Sequence, residues 1–217
     1  MTKPFKEKIL FLSLMDTNHY FSENPSSDYI EEEINVDVLG IHFKIKSASG
    51  IFSRKELDNA SRLLIESVFP FIKDGEKILD LGCGNGIIGI ALALKKPKAF
   101  FVLSDINNRA VALARKNKKL LRLKYVEVVH SDVFENIKEN FDKIVCNPPM
   151  ATPKELRLLM IKESYAHLVP KGMIYMVTRH KKGGNIIEKG INDIFGNCSV
   201  IAKKGGFWVY SGEKKEQ

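Results

Sequence analysis

The sequence is short of cysteine, of tryptophan and of long apolar runs, and the first and last of these shortages exclude classes of protein. There are three cysteines. Cys83, Cys146 and Cys198 lie too far apart for a zinc-ligand pattern or a disulfide framework, which predicts a reducing, cytoplasmic setting and no bound metal. No apolar stretch approaches the roughly 20 residues that a membrane-spanning helix needs. The nearest, 9–15, lacks the small-residue cleavage site of a secretory leader and reads as a first strand or edge segment. Internal repeats and low-complexity tracts are absent too. What remains is a 217-residue chain, 44% hydrophobic and 28% charged, enough for one substantial core with an appendage. Lys and Arg exceed Asp and Glu by 34 to 26, a net +8. That excess favours a polyanionic partner over a merely solvated Lys-rich surface.

From Glu76 onward, short apolar runs alternate with amphipathic ones. Strands are expected at 77–81, 100–104, 126–130, 143–146 and 173–178, and helices at 86–95, 107–121, 153–168 and 185–195. Alternation at this spacing gives a mainly parallel sheet covered by helices on both faces. The tail breaks the pattern: 198–203 and 207–211, around Lys204-Gly205-Gly206, predict an antiparallel hairpin. Before residue 76 the chain reads differently, with two paired strands around Gly40 over 31–46, a helix over 55–69 and a loop over 16–28. An N-terminal β appendage is therefore placed at 1–50 and the main domain at 51–217.

The stretch LDLGCGNGIIGI runs a strand into glycines and then a helix. Gly84-x-Gly86-x-x-Gly89 fits a nucleotide-binding turn, which by itself is weak evidence. Asp80 sharpens it, since a carboxylate there repels a pyrophosphate but can hold an ammonium. Asp105 ends the second strand, at the edge where open α/β sheets bind ligands, and can accept from ribose hydroxyls. Asp132, in HSDVF, is placed to accept from an adenine amine while the Val133 N–H donates to the ring. A nucleoside bearing an amine, S-adenosylmethionine, matches this set. A nicotinamide cofactor does not.

Asn147-Pro148-Pro149-Met150 ends the fourth strand. Two prolines stop a strand because each lacks an N–H and fixes φ. The asparagine adds chemistry. Its amide oxygen and the Pro148 carbonyl can accept both hydrogens of an exocyclic amine, drawing the nitrogen toward pyramidal geometry with its lone pair free. Pro149 keeps the loop stiff. Catalysis of that kind works by positioning and electrostatics, without a covalent intermediate or a metal. A base held so must be flipped out of a duplex or already unpaired. Phe52, Tyr20 and Phe21 are candidates to stack on it. Arg179, Lys181 and Lys182, after the fifth strand, are candidate phosphate contacts, as is the run from Arg115 to Lys124, for which a solvated helix face is the equal alternative. His19, His42, His130 and His167 show no partner in the sequence.

Through DLGCGNG, SDI, SDV and NPPM the chain resembles class I S-adenosylmethionine-dependent methyltransferases. HYFSENPS, SGIFSRKELDNASRLL and KGG narrow the resemblance to the small-domain group that includes small-subunit ribosomal RNA guanine-N2 methyltransferases. It implies a Rossmann-like, seven-stranded sheet, mostly parallel with a C-terminal antiparallel hairpin, plus the small N-terminal β appendage. It also implies a cofactor site drawn from Asp80, Gly82, Gly84, Gly86, Asp105, Ile106, Asp132, Val133 and Asn147, catalysis by Asn147, Pro148 and Pro149, and substrate contacts from Phe52, Met150, Arg179, Lys181 and Lys182. Ribosomal members of the group carry a duplicated, degenerate N-terminal domain, where this chain has only the short appendage. Adenine N6 and a protein glutamine amide remain alternative acceptors. A non-catalytic RNA-binding module with a vestigial cofactor site is the alternative from another class.

Overall fold

The computed structural model describes residues 30–48 and 56–216. The expectations for 9–15 and 16–28, those for His19, Tyr20, Phe21 and Phe52, and the boundary drawn at residue 50 lie outside the described residues. The first described strands, β1 (Glu31–Val38) and β2 (Ile41–Ala48), pair antiparallel about Leu39 and Gly40. Both turn residues have positive φ, 53° and 69°, the geometry a two-residue hairpin loop demands. Helix α1 (Asn59–Val68) begins later than 55 because Asp58 caps it, its carboxylate accepting from the Ala60 and Ser61 N–H groups at 3.0 and 2.9 Å.

The remaining elements are β3 (Lys77–Leu81), α2 (Ile87–Lys95), β4 (Phe100–Asp105), α3 (Asn108–Leu120), β5 (Val126–His130), β6 (Phe141–Cys146), α4 (Lys154–Ala166), β7 (Leu168–Arg179), α5 (Gly184–Phe195), β8 (Ser199–Lys204) and β9 (Phe207–Glu213). The expected helix over 153–168 stops at Ala166, where the His167 backbone N–H closes the last turn on the Glu163 carbonyl. Leu168 already pairs with Phe141, so β7 starts earlier than 173. The seven-stranded sheet has the order β5-β4-β3-β6-β7-β9-β8. β3 to β7 are mutually parallel, and β9 runs antiparallel to both β7 and β8.

Period-two alternation distributes the core to both faces. Ile78, Phe101, Leu103, Val145, Tyr175 and Val177 pack with α1, α2, α3 and the β1–β2 hairpin. Leu79, Val102, Ile144, Cys146, Ile174 and Met176 face the other way, onto α4 and α5. Strands buried on both sides read as continuous apolar runs. Asp80 interrupts the pattern, a completely buried carboxylate in a position otherwise fit for a core side chain.

Candidate active site

Strand order reverses at β3, with β4 on one side and β6 on the other. Such switch points open a crevice at the carboxyl ends of the strands. The glycine loop leaves β3 there, and Asn147 leaves β6 next to it. Gly82 and Cys83 both donate from their backbone N–H to the Ser104 carbonyl at 2.9 Å, so the loop folds back over the end of β4. Gly86 has φ 86°, and a Cβ there would lie 2.9 Å from a Leu103 methyl. Only glycine fits that position. Gly89 lets α2 approach β3 closely enough for its N–H to donate to Asp80 Oδ2 at 2.9 Å.

Asp80 Oδ1 has no partner among the described residues. Burial pushes the Asp80 carboxyl up to about 7, against the pull of the Gly89 N–H and with a further push from the Asp105 charge. A buried oxygen left unpartnered in a ligand crevice suits a bound ammonium group. Asp105 is differently employed. Its Oδ2 accepts from the Gly84 N–H at 2.8 Å and its Oδ1 from the Asn107 N–H at 2.9 Å. Burial raises its carboxyl above the ordinary range, although the His130 charge and these N–H groups oppose the shift. Asp132 stands exposed just past β5, and its backbone carbonyl accepts from Glu135. Val133 has φ 49°, a strained conformation for a β-branched residue. Ile106 follows Asp105, and its carbonyl accepts from His130 Nε2 at 2.8 Å. His130 therefore has a partner that the sequence did not reveal. His42 likewise lies 3.4 Å from Asp37, and His167 stacks on Phe134.

On the β6 side, the Asn147 Nδ2 donates to Ser61 Oγ in the first turn of α1 at 3.0 Å. That bond turns the amide so that Oδ1 faces away from the helix. Among the described residues no donor reaches Asn147 Oδ1 or the Pro148 carbonyl. The Pro149 carbonyl accepts from the Thr152 N–H at 3.0 Å, closing the loop on itself, and Met150 is 51% exposed. Arg157 of α4 is buried and donates from Nη2 to the Met150 carbonyl at 2.7 Å. Its guanidinium also fills the space against Gly183, where a Cβ would overlap Nη1. Arg157 thus ties the Asn147 loop to the turn after β7.

Sequence reading missed Ser61, Arg157 and a third buried tie, Asn117. The Asn117 amide accepts from the Lys46 N–H at 2.7 Å and donates to the Lys46 and Asn85 carbonyls at 2.9 Å. It therefore pins β2 against the glycine loop. The three cysteines are all free. Burial pushes the Cys83 and Cys146 thiols far up and the Cys198 thiol to about 11, so at neutral pH all three are protonated and weak nucleophiles. Among the described residues no cluster of His, Cys, Asp and Glu could hold a metal ion, and no helix is long and apolar enough to cross a membrane.

The basic residues divide by edge. β7 ends at the site edge with Arg179, followed by exposed Lys181 and Lys182. Helix α3 starts at that edge and runs back, so Lys118, Lys119, Arg122 and Lys124 sit at the opposite edge, beside the start of β5.

Residues 42–211 match the family described as Methyltransferase small domain. A Bacillus subtilis relative, described as uncharacterized protein YbxB, is 33% identical over 91% of this chain and 99% of its own length. The ribosomal RNA small subunit methyltransferase C of Salmonella choleraesuis is 36% identical over 82% of this chain and 50% of its own. Among solved structures, a 16S rRNA N2 methyltransferase of T. thermophilus, in complex with AdoMet and guanosine, superposes with a TM-score of 0.76 at 25% identity. It covers 88% of this chain and 52% of its own. The chain thus spans about half the length of the ribosomal RNA relatives it matches.

Proposed function

The chain belongs to the methyltransferase small domain family, and from that premise we propose that it methylates guanine N2 of small-subunit ribosomal RNA. The donor, S-adenosylmethionine, follows from the family and from the AdoMet held by the T. thermophilus relative. When bound it supplies an electrophilic methyl group on a sulfonium. The acceptor is our reading.

One observation carries that reading. Among the described residues, the Asn147 Oδ1 and the Pro148 carbonyl are neighbouring acceptors that no donor reaches, at the mouth of the crevice that contains Asp80 and Asp105. An exocyclic amine is a weak nucleophile because its lone pair is delocalised into the ring. Two acceptors that engage its two hydrogens favour the pyramidal form and aim the lone pair, an effect of preorganised dipoles rather than of proton transfer. Ser61 holds the amide in the orientation this needs, and Arg157 holds the loop. On the donor side, Asp80 Oδ1 receives the ammonium, Asp105 the ribose, and Asp132 with Val133 the adenine. Gly82, Gly84 and Gly86 let the backbone come close. Met150 and the basic turn at Arg179, Lys181 and Lys182 face the RNA. The target base is unpaired or flipped, since a base paired inside a duplex cannot enter such a site.

The likeness to guanine-N2 enzymes favours guanine over adenine N6 or glutamine. Mass spectrometry of nucleosides from small-subunit RNA incubated with the enzyme and labelled donor tests it. N2-methylguanosine is expected. Label in N6-methyladenosine or in protein would assign the alternative acceptor, and no transfer to any of these would favour the vestigial binding module.

A further inference from the structure

Side chains far apart in sequence meet at the site edge of the sheet. The last pairing of β7 with β6 is Met176 with Cys146. β7 continues through Val177 and Thr178 to Arg179, which pairs with Phe207 at the start of β9. Strand residues advance about 3.3 Å each, so this end stands about 10 Å above the end of β6. The Gly205–Gly206 turn joins β9 to β8 at the same height, with Lys204 opposite Phe207. The β7 end, the His180–Lys182 turn and the β8–β9 turn form a wall beside the Asn147 loop. Arg157 connects that loop to the foot of the wall at Gly183.

The wall carries five exposed cations: Arg179, Lys181, Lys182, Lys203 and Lys204. Among the described residues none of them is ion-paired. Some exposed lysines elsewhere are paired, as are Lys44 with Glu33, Lys98 with Asp74 and Lys116 with Glu31, and others such as Lys119 and Lys138 show no ion pair among the described residues, so it is the rings that mark this wall. Here aromatic rings take the place of carboxylates. Lys203 Nζ lies 3.9 Å from the centre of the Trp208 ring, and the Arg179 guanidinium 5.3 Å from that of Phe207. His180 stacks on Trp208 at 3.5 Å and 11°, which leaves Lys203 the opposite face. The His180 ring is fixed in turn by the Tyr210 hydroxyl, 2.8 Å from Nδ1. A ring orders a cation without cancelling its charge. Lys203 and Arg179 are thereby held in place with their full charge facing solvent.

We infer that the β8–β9 turn completes a clamp for the RNA backbone: Lys203 and Lys204, successive strand residues on opposite faces of the sheet, grip phosphates at its upper edge together with Arg179, Lys181 and Lys182 from the end of β7, beside the pocket for the target base. The inference rests on the RNA reading given above. Charge complementarity selects the partner, and the height of the wall places the backbone where one flanking nucleotide can descend to Asn147. Trp208 has both faces covered, so it organises the cations and does not stack on a base.

The test uses the full chain and a short unstructured RNA containing guanosine, with affinity measured across salt concentrations. Replacing Lys203→Gln and Lys204→Gln together should flatten the slope of log affinity against log salt by about 1.4, since each phosphate contact on a single strand contributes about 0.7. Calorimetric affinity for S-adenosylmethionine should be unchanged, which also reports that the variant is folded. Lys118→Gln with Lys119→Gln, on the opposite edge, should keep the wild-type slope. An unchanged slope in the hairpin variant overturns the clamp, as does an equal loss in the opposite-edge variant. Wild-type protein that methylates RNA while the hairpin variant keeps its slope leaves the function standing and removes the clamp. Wild-type protein with no salt-dependent RNA affinity removes both.

Discussion

Asp80 should make S-adenosylmethionine binding depend on pH in a way that its geometry fixes. In the free protein its carboxyl is pushed up to about 7, mainly by burial. An ammonium against the unpartnered Oδ1 favours the ionised form. Below about pH 7 each binding event then releases up to one proton, and the association constant rises by up to tenfold per pH unit. From about pH 5.5 to about pH 8 that amounts to roughly 30-fold, or about 2 kcal/mol. The same group tilts stability. Its folded value lies above the ordinary 3.8, so the unfolded chain loses the proton first. The linked stability is fully present below about pH 4 and is lost as pH rises through about 7, by at most about 4 kcal/mol. Asp105, raised in the same direction by burial, adds to the slope. Asp80→Asn should flatten both profiles and weaken binding at pH 8. Calorimetry in two buffers of different ionisation enthalpy reads the proton release directly. Wild-type affinity that is flat from about pH 5.5 to about pH 8, with no proton released, would refute the placement of an ammonium at Oδ1.

Three other substitutions probe separate parts of the site. Asp105→Ala should weaken cofactor binding by at least the worth of one charge-assisted bond, about 1.5–3 kcal/mol, because Gly84 and Asn107 also lose their acceptor; titration calorimetry measures it. Ser61→Ala frees the Asn147 amide, and since a neutral hydrogen bond is worth about 0.5–1.5 kcal/mol, single-turnover methyl transfer should slow roughly 2- to 10-fold at unchanged cofactor affinity. Gly89→Ala puts a Cβ 2.8 Å from a Leu103 methyl, and denaturant melts should show a loss of about 1–3 kcal/mol.

The sheet was legible because its central strands are buried on both faces and its edge strand β5 keeps alternating apolar residues, so Lys77–Leu81 and Val126–His130 coincide with strands to the residue. Boundaries failed where a cap outweighed periodicity, as Asp58 does for α1 and His167 for α4. The signal at Asp58 was present, an aspartate just ahead of an apolar stripe. The supporting shell was not legible. Ser61 and Arg157 read as ordinary helix residues, and their roles depend on contacts that only the folded chain creates. The ring that holds Lys203 depends on the register of β8 against β9, which a one-residue slip would undo. His130 reads as a strand end until the chain brings the Ile106 carbonyl to it.

The central claim is that Asn147 holds the target amine, and single-turnover methyl transfer by Asn147→Ala tests it most directly. Losing one of two acceptors in a water-excluded site should slow transfer by about 10²–10³, comparable to losing a donor from an oxyanion hole. S-adenosylmethionine affinity should stay nearly intact, since the contacts proposed for it come mainly from the ends of β3, β4 and β5. Asn147→Asp keeps an acceptor and the shape, and should retain more activity than alanine. An alanine variant that methylates RNA at the wild-type rate would contradict the account and reduce Asn147-Pro148-Pro149 to a stiff turn.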